Sequence, residues 1–193
     1  RLFDGKNGEW LCMLSALTKK TGAAVPQKQL RPQPPLAPPL PLFFSPIKKA
    51  RLEWLIEKAV ELGATSLHPV ITRNTDRHGL NIEKQRLQII EAAEQCGRLD
   101  EPPLHEALPL EKTGAALPSG MTLLAALERC DAPALSSLPV RPGAYALLIG
   151  PEGGFTEDEK NFLKSQSYVK SVTLGTSILR SETAVCCGLS LLR

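Results

Sequence analysis

The sequence predicts an α/β fold with a mainly parallel β-sheet, preceded by part of a small β domain. From residue 40 onward, short apolar segments alternate with longer segments whose apolar residues recur at helical spacing. Glycines follow two of the predicted helices, as is common at helix C-termini. Alternation of this kind is typical of parallel strands joined by helices, so we expect helices on both faces of the sheet.

Short β-strands are predicted for the first 30 residues. An apolar pair at 2–3 leads into the turn sequence DGKNG, and a second strand is predicted at 9–14. An Asp-Gly pair between apolar segments indicates a β-hairpin. Because a segment of about 25 residues buries too little surface for a core of its own, we expect the remainder of a small β domain whose first part is missing.

A proline-rich stretch follows, with eight prolines in residues 26–46. We interpret it as a stiff linker that runs into a buried strand at 40–44. The predicted domains are therefore a partial β domain at 1–30, a linker at 31–41 and the α/β domain at 42–193. The alternative is a polyproline ligand for a groove of the SH3 type. Such a ligand would not need to continue into an apolar strand.

The elements of the α/β domain begin with a helix that has Ser45 as N-cap, Pro46 in its first turn and Gly63 as its stop. A strand at 66–72 follows, and a helix at 82–96 ends before Gly97. Further strands are predicted at 104–107, 121–126, 145–149 and 171–174, and further helices at 157–165 and 182–192.

Composition limits the possible functions. The chain has 193 residues and a net charge of +3, which permits a nucleic-acid partner without demanding one. Aromatic residues make up only 5%, too few for a base-stacking platform. The five cysteines form no C-x-x-C pair, and His68, His78 and His105 have no partner at ligand spacing. We therefore expect no metal site, no membrane segment and a cytoplasmic protein with reduced thiols.

A glycine-rich loop of the pattern G-x-x-G-G occupies residues 150–154, after a predicted strand. It differs from the dinucleotide and Walker phosphate loops, and it contains Glu152, which would repel a phosphate. Thr156 and Glu159 form a capping box that occupies the helix donors a phosphate would use. The loop therefore suits a ligand that is neutral or positive where it touches the backbone. A tight turn without a ligand is the alternative.

A second loop, LGTSILRSETA at 174–184, also leaves a strand, turns at a glycine and enters a helix. It places Arg180 and Glu182 beside the helix N-terminus. Ligands of open α/β sheets bind beyond the carboxyl ends of the strands, and both loops lie at that edge. Two such loops together favour a binding site.

Four motifs resemble the SPOUT class of RNA methyltransferases, and most closely the bacterial enzymes that methylate uracil N3 in 16S ribosomal RNA. In chain order they are EWLIEKAVELG, EAAEQCGR, LLIGPEGGFTEDE and LGTSILRSETA, and their order and spacing match those of the family. The resemblance covers residues 44–193. The FDG at 3–5 resembles the end of the family's N-terminal PUA-like β-barrel.

The resemblance implies a C-terminal trefoil knot, a homodimer with the active site at the subunit interface, and S-adenosylmethionine as cofactor. This cofactor carries a cationic sulfonium and no phosphate, which agrees with the charge of the first loop. The implied cofactor contacts are Leu124 (within 123–125), Ile149, Gly150, Gly153, Gly154, Leu174, Gly175, Ile178 and Leu179.

Methylation of uracil N3 requires loss of a proton and stabilisation of negative charge on the ring. We assign Arg180 to RNA binding and charge stabilisation. Glu182 is expected to orient this arginine or to accept the proton. Its alternative role is structural, because a carboxylate in the first turn of a helix is favourable in any protein.

Contacts to ribosomal RNA are expected at Lys48, Lys49, Arg51, Arg73, Glu94, Gln95 and Arg98, with Arg77 as a further candidate. The first three form a basic helix start, which opposes the helix dipole and therefore suggests phosphate contacts, although a solvated face explains it equally. Glu94, Gln95 and Arg98 belong to the family motif, and the resemblance implies that they face either RNA or the partner subunit. Asn74 stands where many relatives have an arginine, so either Arg73 or Asn74 fills that position.

The leading hypothesis is a methyltransferase that uses S-adenosylmethionine to modify uracil N3 of small-subunit ribosomal RNA. A related enzyme acting on a ribose 2′-hydroxyl is the first alternative. A non-catalytic RNA-binding module is the second. A nucleotide-binding enzyme is disfavoured by the missing lysine and by Glu152.

Overall fold

Two β-sheets organise the chain, which a computed structural model describes over residues 1–75, 80–139 and 141–193. The first sheet has three antiparallel strands and the second has six parallel strands. This confirms the predicted α/β class with a parallel sheet. Arg77 and His78 lie outside the described residues. Within those residues, no helix is long and apolar enough to cross a membrane.

The antiparallel sheet consists of β1 (Leu2–Phe3), β2 (Glu9–Leu17) and β3 (Gly22–Arg31). The hairpin prediction is confirmed. The proline-rich stretch begins inside β3, and β3 overlaps the predicted linker at 31–41 by one residue, Arg31. Pro26 pairs with Cys12 beside a register irregularity on an edge strand. Proline is tolerated there because the ladder does not need its missing N–H.

Six strands form the parallel sheet in the spatial order β6-β5-β4-β8-β7-β9. They are β4 (Pro41–Phe44), β5 (Ser66–Ile71), β6 (Leu108–Pro109), β7 (Thr122–Ala126), β8 (Tyr145–Ile149) and β9 (Val169–Val172). The strand expected at 104–107 is reduced to a bridge between Leu104 and Leu67, followed by β6. The last strand lies two residues earlier than predicted.

Helices cover both faces of this sheet, as predicted. They are α1 (Lys49–Glu61), α2 (Ile82–Cys96), α3 (Thr113–Ala116), α4 (Glu157–Ser165) and α5 (Ser181–Leu192). Leu147 and Ile149 of β8 point to the core that α1, α2 and α5 cover. Ala146 and Leu148, which alternate with them, point to the core on the side of α4. The period-two alternation of a strand places the two sets on opposite faces.

The start of α1 differs from the prediction. Ser45 is buried and its backbone N–H donates to the carbonyl of Ile149 at 3.0 Å, so it prolongs the pairing of β4 with β8. The helix begins at Lys49, and its N-cap Lys48 makes no side-chain cap. The predicted stops are confirmed, because Gly63 (φ +87°) and Gly97 (φ +75°) both adopt the left-handed conformation.

A ring stack in the interior links three elements that are distant in sequence. The ring of His68 lies 4.4 Å from that of Phe43 and 4.1 Å from that of His105, and His68 is only 6% exposed. Burial, with a smaller contribution from His105, lowers the pKa of His68 to about 4. Sequence spacing could not reveal this pair, since the bridge between residues 67 and 104 brings it together.

We expect the free energy of unfolding to fall as the pH is lowered from 6.5 to about 4. The unfolded chain binds a proton on His68 near pH 6.5, whereas the folded chain keeps the ring neutral down to about 4. The loss should be about 1–3 kcal/mol. Urea denaturation at several pH values measures it, with His68→Phe as the control that keeps the stack and cannot titrate. Equal pH dependence in both proteins would contradict this assignment.

Candidate functional site

A cavity of about 700 Å³ opens at the carboxyl edge of β7, β8 and β9. Its walls are formed by residues 126–130 after β7, residues 149–155 after β8 and residues 173–179 after β9, together with Lys160, Ser181 and Ala184. The edge of an open parallel sheet is where such folds bind ligands. The volume is in the range of small-molecule and cofactor sites.

Most of the predicted cofactor contacts line this cavity. They are Ile149, Gly150, Gly153, Gly154, Leu174, Gly175, Ile178 and Leu179. Leu124 does not line it, because this side chain is fully buried in the core two residues before the end of β7. The wall from β7 is formed instead by Ala126 and the residues that follow it, since the cavity lies beyond the last residue of the strand.

Two glycines leave space open beside the cavity. Gly154 (φ +69°) and Gly175 (φ +130°) are both in the left-handed region, and an added Cβ would meet no atom within 4 Å at either position. At Gly150, in contrast, a Cβ would lie 2.7 Å from the ring of Phe155. The loops therefore need glycine for backbone conformation at two positions and for close packing at another.

The loop after β5 braces the 150–154 loop. The side-chain amide of Asn74 donates to the carbonyls of Gly153 and Gly154 at 3.2 and 3.0 Å. The backbone N–H of Arg73 donates to Glu159 Oε1 at 2.7 Å, while the Arg73 side chain is exposed. Asn74 thus holds the loop, and Arg73 presents the cation at this position.

The capping box of α4 occupies two of the backbone donors at the start of this helix. Thr156 and Glu159 form the predicted capping box: Glu159 N donates to Thr156 Oγ1 at 3.3 Å, and Thr156 N donates to Glu159 Oε2 at 2.8 Å. The capping box predicted from the sequence is therefore confirmed.

Arg180 and Glu182 open α5 but are not paired with each other. Arg180 is the N-cap residue and its side chain is exposed, without a hydrogen-bond partner among the described residues. The Glu182 side chain is 13% exposed, and its Oε1 lies 3.8 Å from Arg51 Nε. Its Oε2 is buried and has no partner within the described part of the chain. The expected orientation of Arg180 by Glu182 is therefore wrong, and Arg51 is the cation beside this carboxylate.

The basic start of α1 divides into two groups. Lys48 and Lys49 are exposed, as a contact surface for phosphate requires. Arg51 is engaged within the chain, since its Nη1 donates to Glu152 Oε1 at 2.6 Å. The two carboxylates beside Arg51 give an electrostatic reason for a cation at this helix start that the sequence alone did not show.

Arg98 has a structural role that differs from the expected contact with RNA or a partner. Its Nη1 donates to the carbonyls of Val60 and Ala64 at 2.9 Å each, and its other nitrogens pair with Asp100. The Val60 carbonyl lies in the last turn of α1, where it also accepts from Gly63 N at 3.1 Å, and the Ala64 carbonyl follows the helix. Glu94 and Gln95, on the last turn of α2, are exposed.

Replacing Arg98 with alanine should lower the free energy of unfolding by about 2–3 kcal/mol, because two interior carbonyls lose a charged donor. Arg86→Ala is the matched control. Arg86 pairs with Glu101 on the surface and its side chain is 64% exposed, so this change should cost less than about 1 kcal/mol. Urea denaturation of both variants measures the difference. Equal losses in the free energy of unfolding would contradict the structural role of Arg98.

Several cavity residues were not predicted from sequence. Glu128, Arg129 and Cys130 form one wall, and Lys160 of α4 contributes to another. Arg129 has a φ of +51° and is the sole non-glycine residue with positive φ in the described ranges. Strain of this kind occurs at functional sites. The sequence LERC at 127–130 could have indicated this wall, because it directly follows β7 and so lies at the same sheet edge as the two glycine loops.

Comparison with known proteins gives a consistent result. A model of the RNA methyltransferase domain matches residues 34–193. The chain is 33% identical over 188 residues to the ribosomal RNA small subunit methyltransferase E of Rickettsia conorii, covering 95% of this chain and 75% of the relative.

Two solved structures share the fold at similar levels of identity. The Neisseria gonorrhoeae ribosomal RNA small subunit methyltransferase E bound to S-adenosyl methionine is 28% identical, with a TM-score of 0.79 and coverage of 97% of this chain and 78% of that one. A Legionella pneumophila methyltransferase in complex with the same cofactor is 27% identical, with a TM-score of 0.84 and coverage of 98% and 80%.

Proposed function

Because the chain belongs to the RNA methyltransferase family, we propose that it transfers a methyl group from S-adenosylmethionine to ribosomal RNA of the small ribosomal subunit. The observation that carries this proposal is the cavity beyond β7, β8 and β9, which both glycine loops line and where Gly154 and Gly175 leave open space. The relatives named for this activity support it.

The residues present fit this cofactor. The open space beside Gly154 and Gly175 allows close approach of an adenosine to the main chain. Glu128 contributes a carboxylate to the wall, and a cationic sulfonium could approach it. The loops at 149–154 and 174–179 would hold the cofactor, with Ala126 and Leu127 in the place predicted for Leu124.

When bound, S-adenosylmethionine supplies a methyl group on a positively charged sulfur, and the chain must present the accepting atom in line with it. We assign uracil N3 as that atom. The exposed guanidinium of Arg180 would stabilise negative charge as N3 loses its proton. We retain Glu182, in the first turn of α5 and two residues after Arg180, as the proposed acceptor of that proton.

The RNA would lie across the exposed cations near the cavity. Lys48 and Lys49 at the start of α1 and Arg73 after β5 present their side chains to solvent. Such cations position the phosphate backbone and carry no sequence information. Glu94 and Gln95, which are exposed on the last turn of α2, are retained as proposed contacts.

The resemblance extends the proposal to a trefoil knot, a homodimer, a PUA-like N-terminal domain and a cytoplasmic site of action. The path of the chain supports the knot. β9 lies at one edge of the sheet, yet α5, which follows it, packs against β8 and α1 near the centre. The intervening residues 174–180 therefore pass beside the 150–154 loop.

A product analysis tests the proposed reaction. The chain is incubated with methyl-labelled S-adenosylmethionine and either 16S ribosomal RNA or small subunits lacking the modification, and the RNA is digested to nucleosides. We expect N3-methyluridine. A 2′-O-methyl nucleoside would instead show that the chain methylates a ribose 2′-hydroxyl. RNA binding without label in either substrate would favour the non-catalytic module.

A further inference from the structure

Arg51 stands between two walls of the cavity without lining it. Its Nη1 donates to Glu152 Oε1 at 2.6 Å, and Glu152 belongs to the 150–154 loop. Its Nε lies 3.8 Å from Glu182 Oε1, in the first turn of α5, which the 174–180 loop enters. One guanidinium thus contacts the 150–154 loop and the helix that directly follows the 174–180 loop.

The position of Arg51 is unfavourable for its own helix. α1 has no acidic residue in its first turn and no side-chain N-cap, so a cation there opposes the helix dipole. Two carboxylates from distant parts of the chain offset this cost, and a planar guanidinium can contact both at once where a lysine ammonium offers one point charge. We therefore attribute the arginine at this position to its contacts with Glu152 and Glu182 and not to a role in α1.

Other contacts join the same two segments but leave Glu152 unrestrained. Ser181 Oγ donates to the carbonyl of Gly150 at 2.9 Å, which links the first residue of α5 to the start of the loop. Asn74, in the loop after β5, holds Gly153 and Gly154. Within the described residues, Arg51 is the side chain that holds the loop through Glu152, at its midpoint.

We propose that Arg51 is a positioning residue that fixes the 150–154 loop against the first turn of α5 and so keeps both cofactor-facing walls in place before the cofactor binds. The inference rests on the proposed function for its effect on affinity. Arg51 also directs the Glu152 carboxylate toward α1 and places a cation 3.8 Å from Glu182 Oε1.

A double-mutant cycle in the dissociation constant for S-adenosylmethionine tests this role. Arg51→Gln and Glu152→Gln should each raise the Kd about tenfold, and the double variant should bind about as weakly as either single one. Arg51→Lys should recover part of the affinity. Lys58→Gln is the matched control, because Lys58 is a cation of the same helix that also pairs with two carboxylates. Wild-type affinity in Arg51→Gln and Glu152→Gln, or an effect of about a hundredfold in the double variant, would overturn the proposal.

Hydrogen exchange of the free protein separates this inference from the proposed function. Arg51→Gln should increase amide exchange in residues 150–154 and in the first turn of α5, with no cofactor present. Increased exchange without cofactor binding by the wild-type chain would remove the proposed function and leave the positioning role. If Arg51→Gln leaves amide exchange unchanged while the wild-type chain binds the cofactor, the positioning role is removed and the proposed function stands. If Arg51→Gln fails to fold, Glu152→Gln gives the same readouts.

Discussion

Replacing Arg180 with alanine is expected to lower kcat for methyl transfer by about 100-fold or more while the Kd for S-adenosylmethionine changes by less than about twofold. The guanidinium is exposed at the N-cap of α5, and the structure shows no side-chain bond for it in the described residues, so its removal should cost little stability. Its proposed partner is the charge that develops on the base.

Single-turnover kinetics with 16S ribosomal RNA or small subunits measure this effect, and calorimetry measures the cofactor affinity. Arg193→Ala, at the opposite end of the same helix, is the control and should retain wild-type kcat. Arg180→Lys should recover part of the rate, since a cation remains. A loss of cofactor affinity equal to the loss of rate would show that Arg180 acts in cofactor binding instead.

Replacing Gly150 with valine is expected to weaken binding of S-adenosylmethionine at least about 100-fold. A Cβ at this position would lie 2.7–3.1 Å from atoms of the Phe155 ring, and Phe155 is buried in the core on the side of α4. Either the ring or the loop must move, and both line the cavity. Overpacking of this kind also costs about 1–3 kcal/mol of stability.

Two glycine variants make this prediction specific. Gly22→Val, at the start of β3, is the control, because a Cβ there lies at an ordinary 3.4 Å from a Leu17 side chain. Gly153→Ala should have a smaller effect than Gly150→Val, since its Cβ would meet the Asn74 side chain at 3.1 Å. Wild-type affinity in a folded Gly150→Val protein would show that the cofactor does not bind beside this loop.

Local patterns predicted the elements whose ends carry their own chemical signals. The helix at 82–96 agrees at both ends, because Asn81 caps its start and Gly97 ends it. The strand at 145–149 and the helix at 157–165 also agree, the latter with its capping box. In these elements, propensity, periodicity and caps all favour the same bounds.

Ser45 shows where local patterns fail. Its sequence context is that of an N-cap, yet pairing of β4 with β8 takes this residue into the sheet edge and delays the helix to Lys49. Propensity is a weak preference that tertiary contacts override.

The charged residues of the site show the same limit more strongly. Arg51 and Glu152 are 101 positions apart, and Arg98 contacts carbonyls 34 and 38 positions away. No local pattern encodes such pairs, so the sequence predicted free cations where the fold makes intramolecular bonds. The glycine loops were found correctly as a pair, since their relation follows from the shared carboxyl edge of parallel strands.

Calorimetric titration of the wild-type chain with S-adenosylmethionine tests the central claim most directly, with ATP and NAD as comparison ligands. The account predicts saturable binding of S-adenosylmethionine at one site per chain and no binding of the two phosphate-bearing ligands. A folded chain that gives no saturable binding of S-adenosylmethionine would contradict it.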